Sequence, residues 1–253
     1  MDQRKMMEMA GALPGRVGLY VHDLGTGEKV CFQERLPVGA ASVIKLTIMA
    51  EAFRQREAGM LDFSEEIAIR QEDKKPSCGA LNYLHTGLKV QLGDLVTLMI
   101  ILSDNTATNL LIDRLGIGNI NRLIVGLGLT GTRLQRKLYE PELSRQGIQN
   151  YVTAGDAGRM MELLLRGEVV SEAASREMVA ILLNQRLNGK MPFFLHSRGI
   201  KTAHKTGEDD GITHDVGIIF TENPVIFCFV SEKTDVPLAE RTLQELAAMA
   251  AGV

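Results

Sequence analysis

Three short clusters in this chain carry groups able to make and break an acyl bond. Ser42-Val43-Ile44-Lys45 sets a hydroxyl and an amine three residues apart. On a helix those positions share a face, so the amine lies one turn from the hydroxyl. A serine hydroxyl is a weak nucleophile until a base takes its proton. A lysine buried away from water loses basicity and becomes able to act as that base. At a helix start the amide dipole ends also favour a developing anion on Ser42. The plainer reading of the same four residues is an N-cap serine followed by a surface lysine.

Ser103-Asp104-Asn105 follows an apolar helical stretch. A hydroxyl and an amide at a tight turn can relay a proton and hold a substrate amide. The plainer reading is a capping turn, for which these residue types are usual. Lys205-Thr206-Gly207 lies at a strand. A cation and a hydroxyl there can hold a carboxylate, and the glycine lets a substrate lie along the strand edge. The backbone N–H groups of Glu208 and Ser42 could then form an oxyanion hole. The plainer reading is an edge strand carrying a lysine.

Each cluster is commonplace alone. Together, in this order and about 60 and about 100 residues apart, they form the combination S-x-x-K, S-D-N and K-T-G. On these residues the chain resembles the class A serine β-lactamases over nearly its full length. The resemblance implies an α/β lobe and an all-helical lobe. It implies Ser42 as nucleophile, Lys45 (or Glu140 through water) as its base and Ser103 as the proton donor to the leaving nitrogen. It implies Asn105 on the substrate's side-chain amide, and Lys205, Thr206 and Gly207 on its carboxylate.

The resemblance extends to Thr132-Arg133-Leu134 and Tyr139-Glu140-Pro141-Glu142-Leu143, which look like the family's omega loop. By that match Glu140 activates the water that releases the acyl group. The loop departs from the pattern before Glu140, where it is longer, so a different register would bring Glu142 to the site instead. Ser144 stands where the family has an asparagine. Arg136 is present for the expected arginine–aspartate brace, but no acid occurs near Asn150-Tyr151-Val152-Thr153. Glu208, Asp209 and Asp210 would repel an anionic substrate unless they point away. His214-Asp215 resembles a broader group of serine hydrolases and D-alanyl-D-alanine peptidases, and a Ser42–His214–Asp215 triad is one alternative.

The reading is therefore a serine β-lactamase with a small β-lactam substrate. Two alternatives stay open: a D,D-peptidase or esterase sharing the acylation site, and a penicillin sensor that acylates and stops. No metal or organic cofactor is required. His22, His85, His196 and His204 show no metal-ligand spacing and read as structural or surface residues.

The elements that must position these residues follow from periodicity. Residues 2–12 read as an amphipathic helix, 16–24 and 29–33 as strands around a Gly25-Thr26-Gly27 turn, and 42–58 as a long helix. That helix is apolar on most sides, which predicts a central, buried position. Helices are expected over 92–102, 106–115, 154–166 and 171–187, with 133–152 irregular. Strands return at 204–206, 215–220 and 225–231, before a last helix over 237–251. Strands gathered at both ends predict one antiparallel sheet assembled from both termini and flanked by helices. The expected layout is a single domain over 1–253, with an α/β lobe of about 1–40 and 190–253 and a helical lobe of about 41–189. A cleft between the lobes is the natural substrate site.

Composition narrows the class. At 45% hydrophobic and 23% charged residues the chain is an ordinary globular one. A net charge of -3 gives no basic excess for nucleic acid. No apolar run is long enough to span a membrane. Cys31, Cys78 and Cys228 make no C-x-x-C pair and read as structural thiols, with Cys78 in an exposable Pro76-Ser77-Cys78-Gly79 loop. A monomer is expected. The family resemblance implies action outside the cytoplasm, yet residues 1–8 lack an apolar signal core, so the chain reads as cytosolic or as a trimmed mature form.

Overall fold

The computed structural model describes residues 2–76 and 78–253, leaving Met1 and Ser77 outside the described residues. The chain begins with helix α1 (Gln3–Gly11), then strands β1 (Arg16–Asp23), β2 (Lys29–Phe32) and β3 (Val38–Gly39). A 3₁₀ turn over Ala41–Ile44 feeds α2 (Lys45–Glu57). Next come β4 (Glu66–Ala68), β5 (Lys89–Gln91), α3 (Leu92–Ile101), α4 (Asn105–Leu115) and α5 (Ile117–Gly126). Then follow α6 (Pro141–Arg145), β6 (Tyr151–Val152), α7 (Ala154–Arg166) and α8 (Glu172–Leu183). The C-terminal part is β7 (Lys201–Asp209), β8 (Ile212–Phe220), β9 (Val225–Glu232) and α9 (Val236–Ala250). No helix among the described residues is long and apolar enough to cross a membrane.

The sheet is antiparallel throughout, in the order β2-β1-β9-β8-β7, so it does join both ends of the chain. Its central strand explains why. Along β9, Val225, Phe227 and Phe229 enter one core, while Ile226, Cys228 and Val230 enter another. A strand buried on both faces reads as a continuous apolar run, and helices must cover both sides. Met6 and Ala10 of α1 and Leu243 and Leu246 of α9 build the first core. The second is larger and continues through α7 and α8 into α2, α3 and α4. Helix α2 is buried around nearly its whole circumference, as its composition predicts.

Several elements differ from the sequence expectation. The strands expected at 204–206 and 215–220 are the middles of a longer hairpin, β7–β8, closed at Asp210-Gly211 with Gly211 at φ 64°. Its polar tip hides the strand period. Helix α5 was not expected, because Gly116, Gly118 and Gly126 dilute its apolar face. Helix α8 ends at Leu183 rather than near 187, and the irregular stretch 133–152 contains the short α6. Cys31 is exposed, Cys228 buried and Cys78 partly buried.

Helix α7 sits close on β1. A Cβ at Gly158 would come within 2.3 Å of the Tyr20 ring, whose hydroxyl is held by Glu162 at 2.6 Å. Gly158→Ala should therefore cost about 1–3 kcal/mol in urea unfolding through overpacking. Helix propensity alone would make the same change stabilising by about 1 kcal/mol. A rise in stability would show that the ring gives way freely.

Candidate active site

Ser42 lies in the 3₁₀ turn, not at an α-helix N-cap, and is partly exposed. Lys45 begins α2 and is fully buried. Its Nζ donates to Ser103 O at 2.7 Å and Asn105 Oδ1 at 2.9 Å, and lies 2.9 Å from Ser103 Oγ. The first two partners can only accept. The third is a hydroxyl and can donate or accept. An ammonium with three N–H groups, or a neutral amine with two N–H groups and one lone pair, satisfies all three contacts. Burial drives the Lys45 amine well below the ordinary lysine value, and the neighbouring Lys205 adds to the effect. Ser42 Oγ makes no hydrogen bond among the described residues, so Lys45 is linked to Ser103 rather than directly to Ser42.

Lys205 approaches the same hydroxyl from β7. Its Nζ donates to Ser103 Oγ at 3.1 Å and to Thr206 O at 2.9 Å. Burial pushes it down to about 7, against an opposing pull from Asp215. Between Ser103 and Asn105, Asp104 does the capping expected of its type: it accepts from Ala107 N at 2.9 Å and also from Ala80 N and Leu81 N. That frees Ser103 and Asn105 for the site. Ser103 takes φ 54° to present its side chain.

Ser42, Ser103, Asn105, Glu140, Thr206 and Glu208 line one cavity of about 910 Å³. Lys45 and Lys205 are buried and reach Ser103 of the lining, and Gly207 is buried between the lining residues Thr206 and Glu208. Strand β7 is the sheet edge, and its Thr206, Glu208 and Asp209 line this space. Three non-glycine residues of the lining adopt left-handed backbone: Ala41 at 42°, Ser103 at 54° and Tyr139 at 58°. Each such residue costs on the order of 1–3 kcal/mol and needs its surroundings to hold it.

In the loop over 133–150 the two candidate carboxylates have different surroundings. Glu140 lines the cavity, with Oε2 accepting from Lys137 N at 2.8 Å. Glu142 is exposed and paired with Arg145 at 2.7 Å. The expected arginine–aspartate brace is replaced by neutral partners. Arg136 donates to Gln149 Oε1 at 2.7 Å and Ile148 O at 3.0 Å. Asn150 Oδ1 accepts from Gln135 N and Arg136 N, and Asn109 holds Leu138 by both N–H and C=O. Ser144 Oγ accepts from Gln149 Nε2 at 2.6 Å.

Sequence reading missed Lys190, a buried lysine that donates to Gly207 O at 3.1 Å and pairs with Glu208 at 3.1 Å and Glu240 at 3.5 Å. It neutralises the acid nearest the carboxylate-binding candidates. Nothing in the local pattern signals it, because its partners lie on β7 and α9. Asp209 and Asp210 also line the cavity. The Ser42–His214–Asp215 alternative does not form: Asp215 is bound to His204 Nδ1 at 2.8 Å, and His214 contacts Gly39 O and Ser231 N.

The sequence profile of the β-lactamase enzyme family matches residues 3–252. The β-lactamase from Sphaerobacter thermophilus DSM 20745 is 31% identical and superposes with a TM-score of 0.90, over 99% of this chain and 97% of that one. PBP-A is 24% identical with a TM-score of 0.89, over 99% and 94%. An ancestral class A β-lactamase is 22% identical with a TM-score of 0.88, over 99% and 98%, a likeness of fold. The fold is that of the class A serine β-lactamases. The chain belongs to the β-lactamase enzyme family.

The buried Lys205 gives a stability signature. Its folded value near 7 lies below the ordinary 10.5, so between those pH values the unfolded chain binds a proton that the folded chain has lost. Wild-type stability therefore climbs with pH across that interval. Lys205→Met removes the cost of the buried charge. Its advantage in urea midpoint should be largest near pH 6 and shrink as pH rises past 7. An advantage that does not change with pH would mean that charge burial is not the cost.

Proposed function

We propose that this protein hydrolyses β-lactams by a class A route, through an acyl-enzyme on Ser42. The observation that carries the reading is the convergence of Lys45 and Lys205 on Ser103 Oγ at the wall of the cavity that Ser42 lines. Lys45, which burial biases toward the neutral form, takes the Ser42 proton as Oγ attacks the lactam carbonyl. The Ser42 and Glu208 N–H groups hold the oxyanion. As the C–N bond breaks, Ser103 gives its proton to the nitrogen and recovers one from Lys45. The depressed amine suits both directions, since a general base works best with a value near the working pH. Lys205 and Thr206 hold the substrate carboxylate against Gly207, and Asn105 orients its side-chain amide. Glu140 then takes a proton from water, and the hydroxide releases the acyl group from Ser42.

A second reading has its own support. Glu140 is held by Lys137 N and makes no hydrogen bond or ion pair with Ser42 or Lys45 among the described residues, and PBP-A shares the fold. A PBP-A point variant at 25% identity was solved as its acyl-enzyme with penicillin G. On this reading the protein acylates and releases slowly, as a D,D-peptidase, esterase or sensor.

Intact-protein mass spectrometry with benzylpenicillin separates the two. Wild type should show a transient adduct and Ser42→Ala none. Glu140→Gln should hold the adduct about 10²–10⁴ times longer, while Glu142→Gln behaves as wild type. A persistent wild-type adduct favours the second reading. An adduct on Ser42→Ala removes both.

A further inference from the structure

His214 belongs to no part of the proposed chemistry, yet it is fully buried beside it. It stands on β8 directly opposite Gly207 of β7. Ser231 N donates to its Nδ1 at 3.0 Å, so that nitrogen must carry a lone pair. Its Nε2 lies 2.8 Å from Gly39 O, an atom that only accepts, so Nε2 carries the proton. The two partners fix a neutral ring in one tautomer and one orientation. Burial agrees, pushing the imidazole down to about 4.

What the ring touches gives it a role. Gly39 ends β3, three residues before Ser42, and the next residue, Ala40, donates its N–H to Asn150 O at 2.8 Å. The lead-in to Ser42 is thus pinned from two sides before the left-handed step at Ala41. On its other side the ring lies against Gly207, where a Cβ would come within 2.8 Å of His214 Cδ2. Glu208, the next residue, supplies the second oxyanion N–H on the reading above. One rigid ring is therefore wedged between the two backbone segments whose N–H groups must meet on one oxygen.

We propose that His214 is a positioning residue that sets the gap between the Ser42 and Glu208 N–H groups through its bond to Gly39 O and its packing on Gly207. Those donors must come within about 2.7–3.1 Å of the developing oxyanion, and losing one costs about 10²–10³ in rate. Displacing the ring moves the segment that leads to Ser42 without removing any group that reacts. The effect falls on the acylation step and spares initial binding, which Lys205 and Thr206 govern. This inference rests on Ser42 being the acylated residue.

The two contacts can be separated. In His214→Asn the short amide can still accept from Ser231 N but cannot reach Gly39 O. In His214→Gln the longer amide can donate to Gly39 O. Rapid-quench mass spectrometry with benzylpenicillin gives the first-order acylation constant and the preceding dissociation constant, and thermal unfolding gives stability. His214→Gln should acylate within about threefold of wild type. His214→Asn should acylate at least about tenfold more slowly, with the dissociation constant changed less than about threefold. His214→Phe, if it folds, should match His214→Asn. Equal acylation by the Asn and Gln variants overturns the proposal, as does a rate loss that merely follows the unfolding temperature. Absence of a Ser42 adduct in wild type sinks the functional reading itself, a different and separately visible failure.

Discussion

A buried amine, with no ion pair among the described residues, stands at the start of the central helix of this fold. Lys45 is enclosed, bonded to a backbone carbonyl and an amide oxygen and adjoining a hydroxyl, all supplied by residues 103–105. Burying an ammonium without a counter-ion is expensive, and burial biases the group toward its neutral form. Much of the surrounding structure serves that arrangement. Helix α2 must run through the core to put the amine there. Ser103 must adopt left-handed backbone to aim both its oxygens inward. Asp104 must cap α4 and pin residues 80 and 81 so that its neighbours remain available.

A second buried lysine raises the stakes. Lys205 shares Ser103 Oγ with Lys45, so two cations would face one hydroxyl if both kept their protons. Lys205 makes the charged form of Lys45 less favourable, beyond the effect of burial. Stability is lost here in exchange for reactivity, which is the usual direction at sites that must move protons. The hydrogen-bonded loop over 133–150 shows the complementary strategy. Arg136 is satisfied by Gln149 and backbone carbonyls, and Asn150 and Asn109 bind backbone on both donor and acceptor sides. Neutral partners therefore hold Glu140 at the cavity without placing another anion behind it.

The parts of this architecture that depend on local spacing were legible in the sequence. Ser42 and Lys45, Ser103 and Asn105, and Lys205 to Gly207 could be picked out because their residue types recur at short intervals. The antiparallel sheet from both termini followed from where apolar alternation occurs. What escaped depends on distant contacts or diluted patterns. Helix α5 carries two glycines and is preceded by a third. The tip of β7–β8 is acidic and hides its strand period. Lys190 is buried by elements on either side of it in space, and only there does Glu208 acquire a partner. The replacement of an acid by Gln149 as the Arg136 partner was likewise invisible, since glutamine carries no charge to search for. The 3₁₀ geometry at Ser42 arises from Ala41, whose positive φ no residue preference announces.

The central claim is that Lys45 is a neutral base in the resting protein. Lysine Nζ or Cε chemical shifts followed by NMR across pH, with Lys45 and Lys205 assigned by single substitution, test it most directly. Lys45 should titrate well below the ordinary lysine value of 10.5. Titration at that ordinary value would mean a charged amine at working pH, and the proposed proton path from Ser42 would have no base.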